Sequence, residues 1–304
     1  MDNALERQTT LAASVSCAGI GVHSGAPANV TLRPARADHG VLFVRRDVSD
    51  RPNAIAAHVA NVTATTLGTT LTNEDGVSVA TVEHLLAALR GLGVDNVIVE
   101  IDGPEAPILD GSSADWVELI TCAGQRTLTA PRRRIVILKP VEVVSGAKRA
   151  RLEPHESCVF DVTIDFAQAS IGRQRMEFEL TPDTFANDIA DARTFGFLHE
   201  VEAMQAAGLG RGGSLENAVV LDGETIMNPE GLRFADEFVR HKALDVVGDL
   251  ALAGAPIQGR YVAEQPGHAL NIALTRALMA DRSNWKWGLS HDADQALELV
   301  AAGV

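Results

Sequence analysis

One segment in the first half of the chain has the apolar spacing of an amphipathic helix. The positions i, i+3, i+4 and i+7 of this segment are occupied by Val82, Leu85, Leu86 and Leu89. These four side chains would share one face of a helix and pack against a core. Ser78 or Thr81 can cap the start of the helix, and Gly91 can end it.

Strand-like segments precede helical ones in both halves of the chain. The first half has β-branched and apolar runs at 30–32, 41–44 and 97–101, and a helical pattern at 116–122. The second half has strand patterns at 135–138, 141–144, 158–166 and 176–180, and helical patterns at 234–252 and 269–279. We therefore expect an α+β fold of two domains of similar plan, 1–125 and 132–304, each with a β-sheet packed on α-helices.

The stretch GQRTLTAPRRR at 124–134 breaks both periodicities and carries Pro131 and four arginines. A solvated connector between the domains explains this composition best. The alternative is that the basic run forms a functional patch.

Composition narrows the class of protein. The 304 residues are 46% hydrophobic and 22% charged, and the formal net charge of −14 opposes non-specific binding to nucleic acid. Apolar runs stop well short of a membrane span, and the first residues lack the pattern of a secretory signal. Three cysteines without CxxC spacing indicate neither a disulfide framework nor a zinc knuckle. We expect a cytoplasmic globular protein.

The strongest local pattern for chemistry lies inside the long helix predicted at 234–252. A four-residue separation places His241 and Asp245 one turn apart on one face, where an imidazole and a carboxylate can hold one zinc ion. Exposed pairs at this spacing are also common on helices that have no function. Lys242 and Asp249 add more polarity than a purely structural helix requires. The pattern alone leaves both interpretations open.

Two further histidines lie at predicted helix starts. In the functional interpretation, His84 is a third metal ligand. Glu83, the residue before it, would then act as the base for a metal-bound water molecule. The simpler alternative is an ordinary helix end, because the helix dipole favours a glutamate in the first turn. His268 follows Gly267, and a nearby carboxylate such as Asp249 would raise its pKa and suit it to general acid catalysis. A helix-entry histidine without a partner is the alternative.

Several long segments together resemble the UDP-3-O-acyl-N-acetylglucosamine deacetylases, zinc amidases that commit Gram-negative bacteria to lipid A synthesis. The matching segments are GIGVHSG at 19–25, TVEHLLAALRGLGVDN at 81–96, PILDGSSADWV at 107–117, ARTFGF at 192–197, LRFADEFVRHKALDVVGDL at 232–250 and GHALN at 267–271. Their order and their spread over the chain make the set specific, although no single motif would be.

The resemblance implies a fold of two α+β domains with the active site between them. It implies that zinc is held by His84, His241 and Asp245, that Glu83 is the general base, and that His268 is the general acid oriented by Asp249. It also implies that Lys242 and Thr194 bind or polarise the amide, that Phe195 lines the acyl passage, that Lys148 holds the substrate and that Phe166 stacks near the uracil. The implied reaction removes the N-acetyl group of UDP-3-O-(3-hydroxyacyl)-N-acetylglucosamine to give acetate and the free amine.

Two positions depart from the family pattern. Many relatives carry a basic residue just before the Gly-His pair, near the nucleotide phosphates, whereas this chain has Glu264-Gln265-Pro266. Gly68 stands where some relatives carry a cysteine near the active site. Neither position belongs to the proposed catalytic set.

The apolar segment 203–210 follows Phe195 closely, and we expect it to help enclose the acyl chain in a tunnel. An ordinary surface helix that ends in glycines is the alternative.

Two other function classes are a different zinc hydrolase, such as a peptidase, and a non-catalytic binder of acylated nucleotide sugars. A peptidase would lack the apolar passage, and a binder would be expected to lack Glu83 or a metal ligand. We expect a monomer.

Overall fold

A computed structural model describes residues 6–289, so the two ends of the predicted domains, 1–5 and 290–304, lie outside the described residues. The elements of the first half are β1 Arg7–Leu11, β2 Val15–Ile20, β3 Pro27–Pro34, β4 Val41–Arg45, β5 Ala54–Ala56, β6 Val62–Ala64, β7 Thr70–Thr72, β8 Ser78–Val79, α1 Glu83–Gly91, β9 Val97–Ile101, α2 Ala114–Ala123 and β10 Gln125–Pro131. A 3₁₀ turn at Val59–Asn61 precedes β6.

The elements of the second half are β11 Arg133–Ile137, β12 Val141–Ser145, β13 Lys148–Glu153, β14 Cys158–Asp165, β15 Arg173–Glu179, α3 Pro182–Thr184, β16 Phe195–Phe197, α4 Leu198–Ala206, β17 Val219–Asp222, β18 Thr225–Ile226, α5 Glu237–Ala251, β19 Ile257–Glu264, α6 His268–Ala280 and β20 Trp285–Leu289. A π-helical turn at Phe185–Ile189 and a 3₁₀ turn at Arg282–Asn284 complete them. The mixture of sheets and helices confirms the α+β class. No helix within residues 6–289 is long and apolar enough to cross a membrane.

Each half contains one large sheet. In the first half the strand order is β2-β3-β9-β4-β5, with β4 and β9 parallel and the other pairs antiparallel. In the second half β19 pairs with β11, β13 and β14, and the sheet extends to β12, β15 and β20. Alternate residues of β3 and β9 are buried, as a sheet with one face on a core requires.

The two helices that carry the candidate metal ligands cross deep in the molecule. Every residue of α1 from Glu83 to Leu89 is buried, and α1 packs along α5. Gly248 permits this close approach, because a Cβ atom at this position would lie 2.1 Å from the backbone oxygen of Glu83. The crossing therefore brings the start of α1 against the middle of α5.

The segment 124–134 contains regular structure, which its broken periodicities did not predict, and its role as a solvated connector between the domains stays a prediction. β10 occupies most of it and runs antiparallel to β1, so that Thr9 lies opposite Thr127. The threonines of this segment favour a strand. Its partner β1 lies at the other end of the first half, so the local pattern does not show that the two segments pair. The two-domain division at 125 and 132 stays a prediction.

Two helix starts also differ from the predicted ones. Neither Ser78 nor Thr81 caps α1: Val82 occupies the cap position, and the Thr81 hydroxyl donates to Glu105 Oε1 over 3.0 Å. Helix α5 begins at Glu237 rather than at 234, because the Glu237 carboxylate accepts the backbone N–H of Arg233 and holds the preceding turn outside the helix.

Candidate metal centre and catalytic site

Three buried side chains converge where α1 crosses α5. His84 lies in the first turn of α1, and His241 and Asp245 lie one turn apart on α5. Asp245 Oδ1 is 3.7 Å from His84 Nε2 and 3.4 Å from His241 Nε2. The three side chains predicted as metal ligands are thus brought together, with donor atoms that all lie within 4.8 Å of one another.

The donor set fits a metal ion. Asp245 Oδ1 is buried and has no hydrogen-bond partner among residues 6–289, which is costly for a carboxylate oxygen unless a cation occupies the space. The His241 Nδ1 atom lies 3.0 Å from the Ala192 carbonyl, so it donates there and leaves Nε2 free for the centre. Burial, aided by the neighbouring His241, lowers the pKa of His84 to about 3 and keeps it neutral, as metal binding requires. Two imidazoles and one carboxylate suit a zinc-type ion with an open position.

A second cluster adjoins this centre and contains the predicted base and acid. Glu83 Oε1 lies 3.7 Å from His268 Nε2, and His268 Nδ1 lies 2.9 Å from Asp249 Oδ2. Burial raises the pKa of Glu83 to about 7. Burial works against the charged form of His268, but the carboxylates of Asp249 and Glu83 outweigh it and raise its pKa to about 10. The result is a carboxylate and a protonated imidazole that face the same space.

Sequence reasoning missed the groups that fix this second cluster. Thr69 donates its backbone N–H to Glu83 Oε2 over 2.9 Å and its hydroxyl to Asp249 Oδ1 over 2.7 Å. Asn271 donates to Asp249 Oδ2, and Tyr261 donates its hydroxyl to Asn271. Asn271 lies in the GHALN segment and could have been noticed, whereas Thr69 and Tyr261 carry no pattern that indicates a role.

Lys242 and Thr194 lie beside the metal centre. Lys242 Nζ is 2.9 Å from Asp245 Oδ2 and 5.4 Å from the ring centroid of Phe195. Burial opposes its charge, but Asp245 outweighs this effect and raises the pKa of Lys242 above its ordinary value. The backbone of Thr194 is held by hydrogen bonds to Gly111 and Val219, and Thr194 lines the cavity described next.

A cavity of about 140 Å³ opens from these groups towards an apolar wall. Its lining includes Glu83, His84, Thr194 and Phe195, together with the apolar side chains of Ile108, Val201, Met204 and Val220. From the segment 203–210, Met204 and Gly210 contribute to the wall, whereas Leu209 is exposed and does not. Helix α4 has no buried residue, so it covers the cavity as a surface helix.

The two remaining predicted site residues lie in different surroundings. The ring of Phe166 contacts those of Phe195 and Phe197, with centroids 5.7 Å and 6.1 Å away, which connects it to the cavity wall. Lys148 is exposed at the turn between β12 and β13, opposite Ser145, and no contact within residues 6–289 joins it to the buried cluster.

Comparison with known proteins gives a consistent result. The family model described as UDP-3-O-acyl N-acetylglycosamine deacetylase matches residues 8–280. The chain is 53% identical over 279 residues to the UDP-3-O-acyl-N-acetylglucosamine deacetylase of Phenylobacterium zucineum, with 92% of this chain and 95% of that protein covered. It is 51% identical to the protein of the same name from Myxococcus xanthus, with 91% and 87% covered. The chain therefore belongs to the UDP-3-O-acyl N-acetylglycosamine deacetylase family.

Proposed function

We propose that this protein is a zinc-dependent amidase that removes the N-acetyl group of UDP-3-O-(3-hydroxyacyl)-N-acetylglucosamine and releases acetate and the free amine. This is the committed step of lipid A synthesis. The observation that carries the proposal is the buried unpartnered Asp245 Oδ1 between two neutral histidines, next to the Glu83–His268–Asp249 cluster. Relatives that share about half of their residues with this chain bear the name of that activity.

The metal would be held by His84, His241 and Asp245. When bound, a zinc ion supplies Lewis acid chemistry, because it polarises a carbonyl and acidifies a water molecule. All three side chains are buried, so little bulk solvent would compete with the ion for its ligands.

The second cluster would move the protons. Glu83 has one oxygen held by the Thr69 N–H, and its other oxygen, Oε1, faces the reaction space and would take the proton of the attacking water. His268 is held at Nδ1 by Asp249, so its Nε2–H points to the same space and would protonate the leaving amine nitrogen. A base and an acid on one side of the amide carry out both transfers without rearrangement.

Other side chains would position the substrate. Thr194 and Lys242 lie beside the centre and would donate to the amide oxygen as negative charge develops on it. The apolar wall with Met204 and Phe195 would enclose the 3-O-acyl chain. We propose that Phe166 contacts the uracil end and that Lys148 reaches the substrate from its exposed turn. A cytoplasmic location and a monomeric state are also proposed.

The alternatives fit less well. A peptidase has no need of the apolar cavity that adjoins the metal centre, and a non-catalytic binder has no need of the complete set of ligands with Glu83 and His268. A metal analysis together with a deacetylation assay on the UDP-acyl sugar tests the proposal. One zinc per chain and acetate release are expected, whereas activity on peptides without activity on the sugar would refute it.

The role of the apolar wall has its own test. Each buried methylene stabilises binding by about 0.8 kcal/mol, so an acyl chain of about ten carbons contributes several kcal/mol if it is enclosed. This energy can hold the acetamide at the centre and lower the barrier. We expect kcat/KM to fall by several orders of magnitude for a substrate without the acyl chain. Met204→Ala should shift the preferred chain length, and the exposed Leu209→Ala should not. Equal kcat/KM with and without the chain would refute this role.

A further inference from the structure

A buried ion pair joins the start of α5 to the segment 192–194. Arg193 is 2% exposed, and Glu237, the first residue of α5, is fully buried. Glu237 Oε1 accepts both the backbone N–H and the Nε–H of Arg193, over 3.0 Å and 2.9 Å. Glu237 Oε2 accepts the backbone N–H of Arg233, in the turn before α5, over 2.6 Å. One carboxylate therefore binds the backbone of two separate segments.

The rest of the Arg193 guanidinium is also occupied by groups of this chain. Its Nη1 atom donates to Glu230, whose side chain is about half exposed, and its Nη2 atom donates to the Gly231 carbonyl over 2.7 Å. Every guanidinium nitrogen of Arg193 thus has an acceptor, and both oxygens of Glu237 have donors. What distinguishes the pair is therefore the backbone that it holds, and not space for a ligand.

The residues on either side of Arg193 belong to the candidate site. The Ala192 carbonyl accepts the Nδ1–H of His241 over 3.0 Å, and Thr194 lines the cavity beside the metal centre. Glu237 precedes His241 by four residues, so their side chains lie one turn apart on the same face of α5. Two consecutive turns of α5 therefore bind two consecutive residues of the segment 192–194.

Stability alone does not explain why an ion pair occupies this place. The cost of removing two charges from water often equals or exceeds their attraction, so two apolar side chains of similar volume are often as stable. An apolar side chain at position 237 could not accept the backbone N–H of Arg193. The carboxylate adds a directional, charge-assisted bond that fixes the segment along α5. A shift of this segment would move the Ala192 carbonyl away from His241 Nδ1.

We propose that the buried pair of Arg193 and Glu237 is a positioning device for the metal centre. It fixes its segment against α5, so that the Ala192 carbonyl meets His241 Nδ1 and keeps Nε2 directed to the centre. It also fixes the backbone of Thr194, which lines the cavity. Both members are positioning residues, because they act through their neighbours and not on the substrate. This inference rests on the proposed function, since the centre that is positioned is the one proposed to hold zinc.

The double variant Arg193→Met with Glu237→Leu tests this role, because it removes both charges and keeps similar side-chain volumes. Three quantities are measured on the full chain: the zinc dissociation constant by competition with a chelating dye, kcat per folded molecule, and the Nδ1–H signal of His241 by NMR. The NMR signal is assigned by its loss in His241→Gln. The control is Glu230→Gln, which removes the half-exposed partner of Arg193 and leaves the bonds between Arg193 and Glu237 in place.

A positioning role predicts that the double variant binds zinc about 10- to 100-fold more weakly and loses kcat by a similar factor, the usual effect of removing a group that orients a metal ligand. The His241 signal should shift or disappear through faster exchange with water, and Glu230→Gln should match the wild type in all three quantities. A purely structural role would lower the urea midpoint and leave the three quantities at wild-type values, and this result would overturn the inference. Equal losses in Glu230→Gln would also overturn it, because they would assign the effect to the charge of Arg193 alone.

Failure of the proposed function gives a different result. If the wild type binds no zinc or releases no acetate, the proposed function fails, and the His241 signal decides about the ion pair. If the double variant does not fold, Glu237→Asp is used, which keeps the charge but withdraws the carboxylate by one methylene from the Arg193 N–H. It should weaken zinc binding and shift the His241 signal, and wild-type values of both would contradict the positioning role.

Discussion

The two ends of α1 differ in how their buried polar groups are satisfied. At the N-terminal end, Glu83 accepts a hydrogen bond from the backbone N–H of Thr69 and faces His268. Asp245 Oδ1, which has no hydrogen-bond partner among residues 6–289, lies near the imidazoles of His84 and His241. At the C-terminal end, Arg90 is only partly buried, and its Nε and Nη1 have no hydrogen-bond partner among residues 6–289. The unpaired oxygen of the buried Asp245 therefore indicates a bound cation at the N-terminal end, whereas the partial exposure of Arg90 leaves its charge in contact with solvent at the other end.

The largest effect is expected from removal of a metal ligand. His84→Ala takes away one of three donors and should abolish both tight zinc retention and turnover, because the remaining pair cannot hold the ion with an open position. Zinc per chain and acetate release are measured together. The control is His155→Ala, an exposed histidine outside the site, which should retain both. Normal zinc content in His84→Ala would contradict the assignment.

A smaller effect is expected when the proposed base loses its charge but keeps its shape. Glu83→Gln can still accept the Thr69 N–H, so the fold and the metal content should be unchanged. The rate should fall by about 10²–10⁴, the usual contribution of a general base. The measurement is kcat at saturating substrate, with zinc content as the control. Unchanged kcat would exclude Glu83 as the base.

The sequence predicted the N-terminal end of α1 better than the C-terminal end. The i, i+4 spacing of His241 and Asp245 and the neighbouring Glu83-His84 pair suggested a metal site, and the resemblance to a family then selected among open alternatives. The His268–Asp249 contact joins two helices, and Thr69 reaches Asp249 from the first half of the chain, so no local pattern could give these contacts.

Errors in the prediction have the same origin. The segment of β10 was expected as a connector because it breaks both periodicities, and its pairing with β1, which is distant in sequence, leaves no local signal. The contact of Arg90 with strands of the second half likewise leaves no signal in the local sequence. Local periodicity gives helices and their buried faces, whereas the pairing of polar groups depends on the tertiary contacts.

A pair of glycine substitutions compares the two ends of α1 directly. In Gly248→Ala the new Cβ would lie 2.1 Å from the backbone oxygen of Glu83, and in Gly91→Ala it would lie 2.2 Å from the buried ring of Phe185. Both should reduce the free energy of unfolding by about 3 kcal/mol, the upper part of the range for overpacking. Only Gly248→Ala displaces Glu83, so only this variant should lower kcat per folded molecule. Urea unfolding and kcat are measured for both, and equal losses of kcat would contradict the distinction.

The smallest expected effect concerns the carboxylate that holds the turn before α1. Glu105 is buried and accepts hydrogen bonds from the hydroxyl and the backbone N–H of Ser24, from the backbone N–H of His23 and from the hydroxyl of Thr81. Burial alone would raise its pKa, but these hydrogen bonds outweigh burial and hold the pKa of Glu105 below the ordinary value of 4.5.

A carboxylate whose folded-state pKa is lowered stabilises the fold fully above its unfolded-state pKa, and this contribution is lost as the pH falls through the folded-state value. Glu105→Gln should therefore cost about 1.5 kcal/mol at neutral pH, the scale of hydrogen bonds to a charged group. The difference from the wild type should shrink as the pH falls below about 4.5, where the unfolded-state carboxylate takes up a proton, and should vanish at lower pH, where the native carboxylate also becomes protonated. Urea unfolding at several pH values measures both quantities. Glu100→Gln, which removes a carboxylate paired with the exposed Arg33, serves as the control and should change stability by about 0.5 kcal/mol. A Glu105→Gln difference that stays constant down to pH 3 would mean that its shape, and not its charge, holds the start of α1.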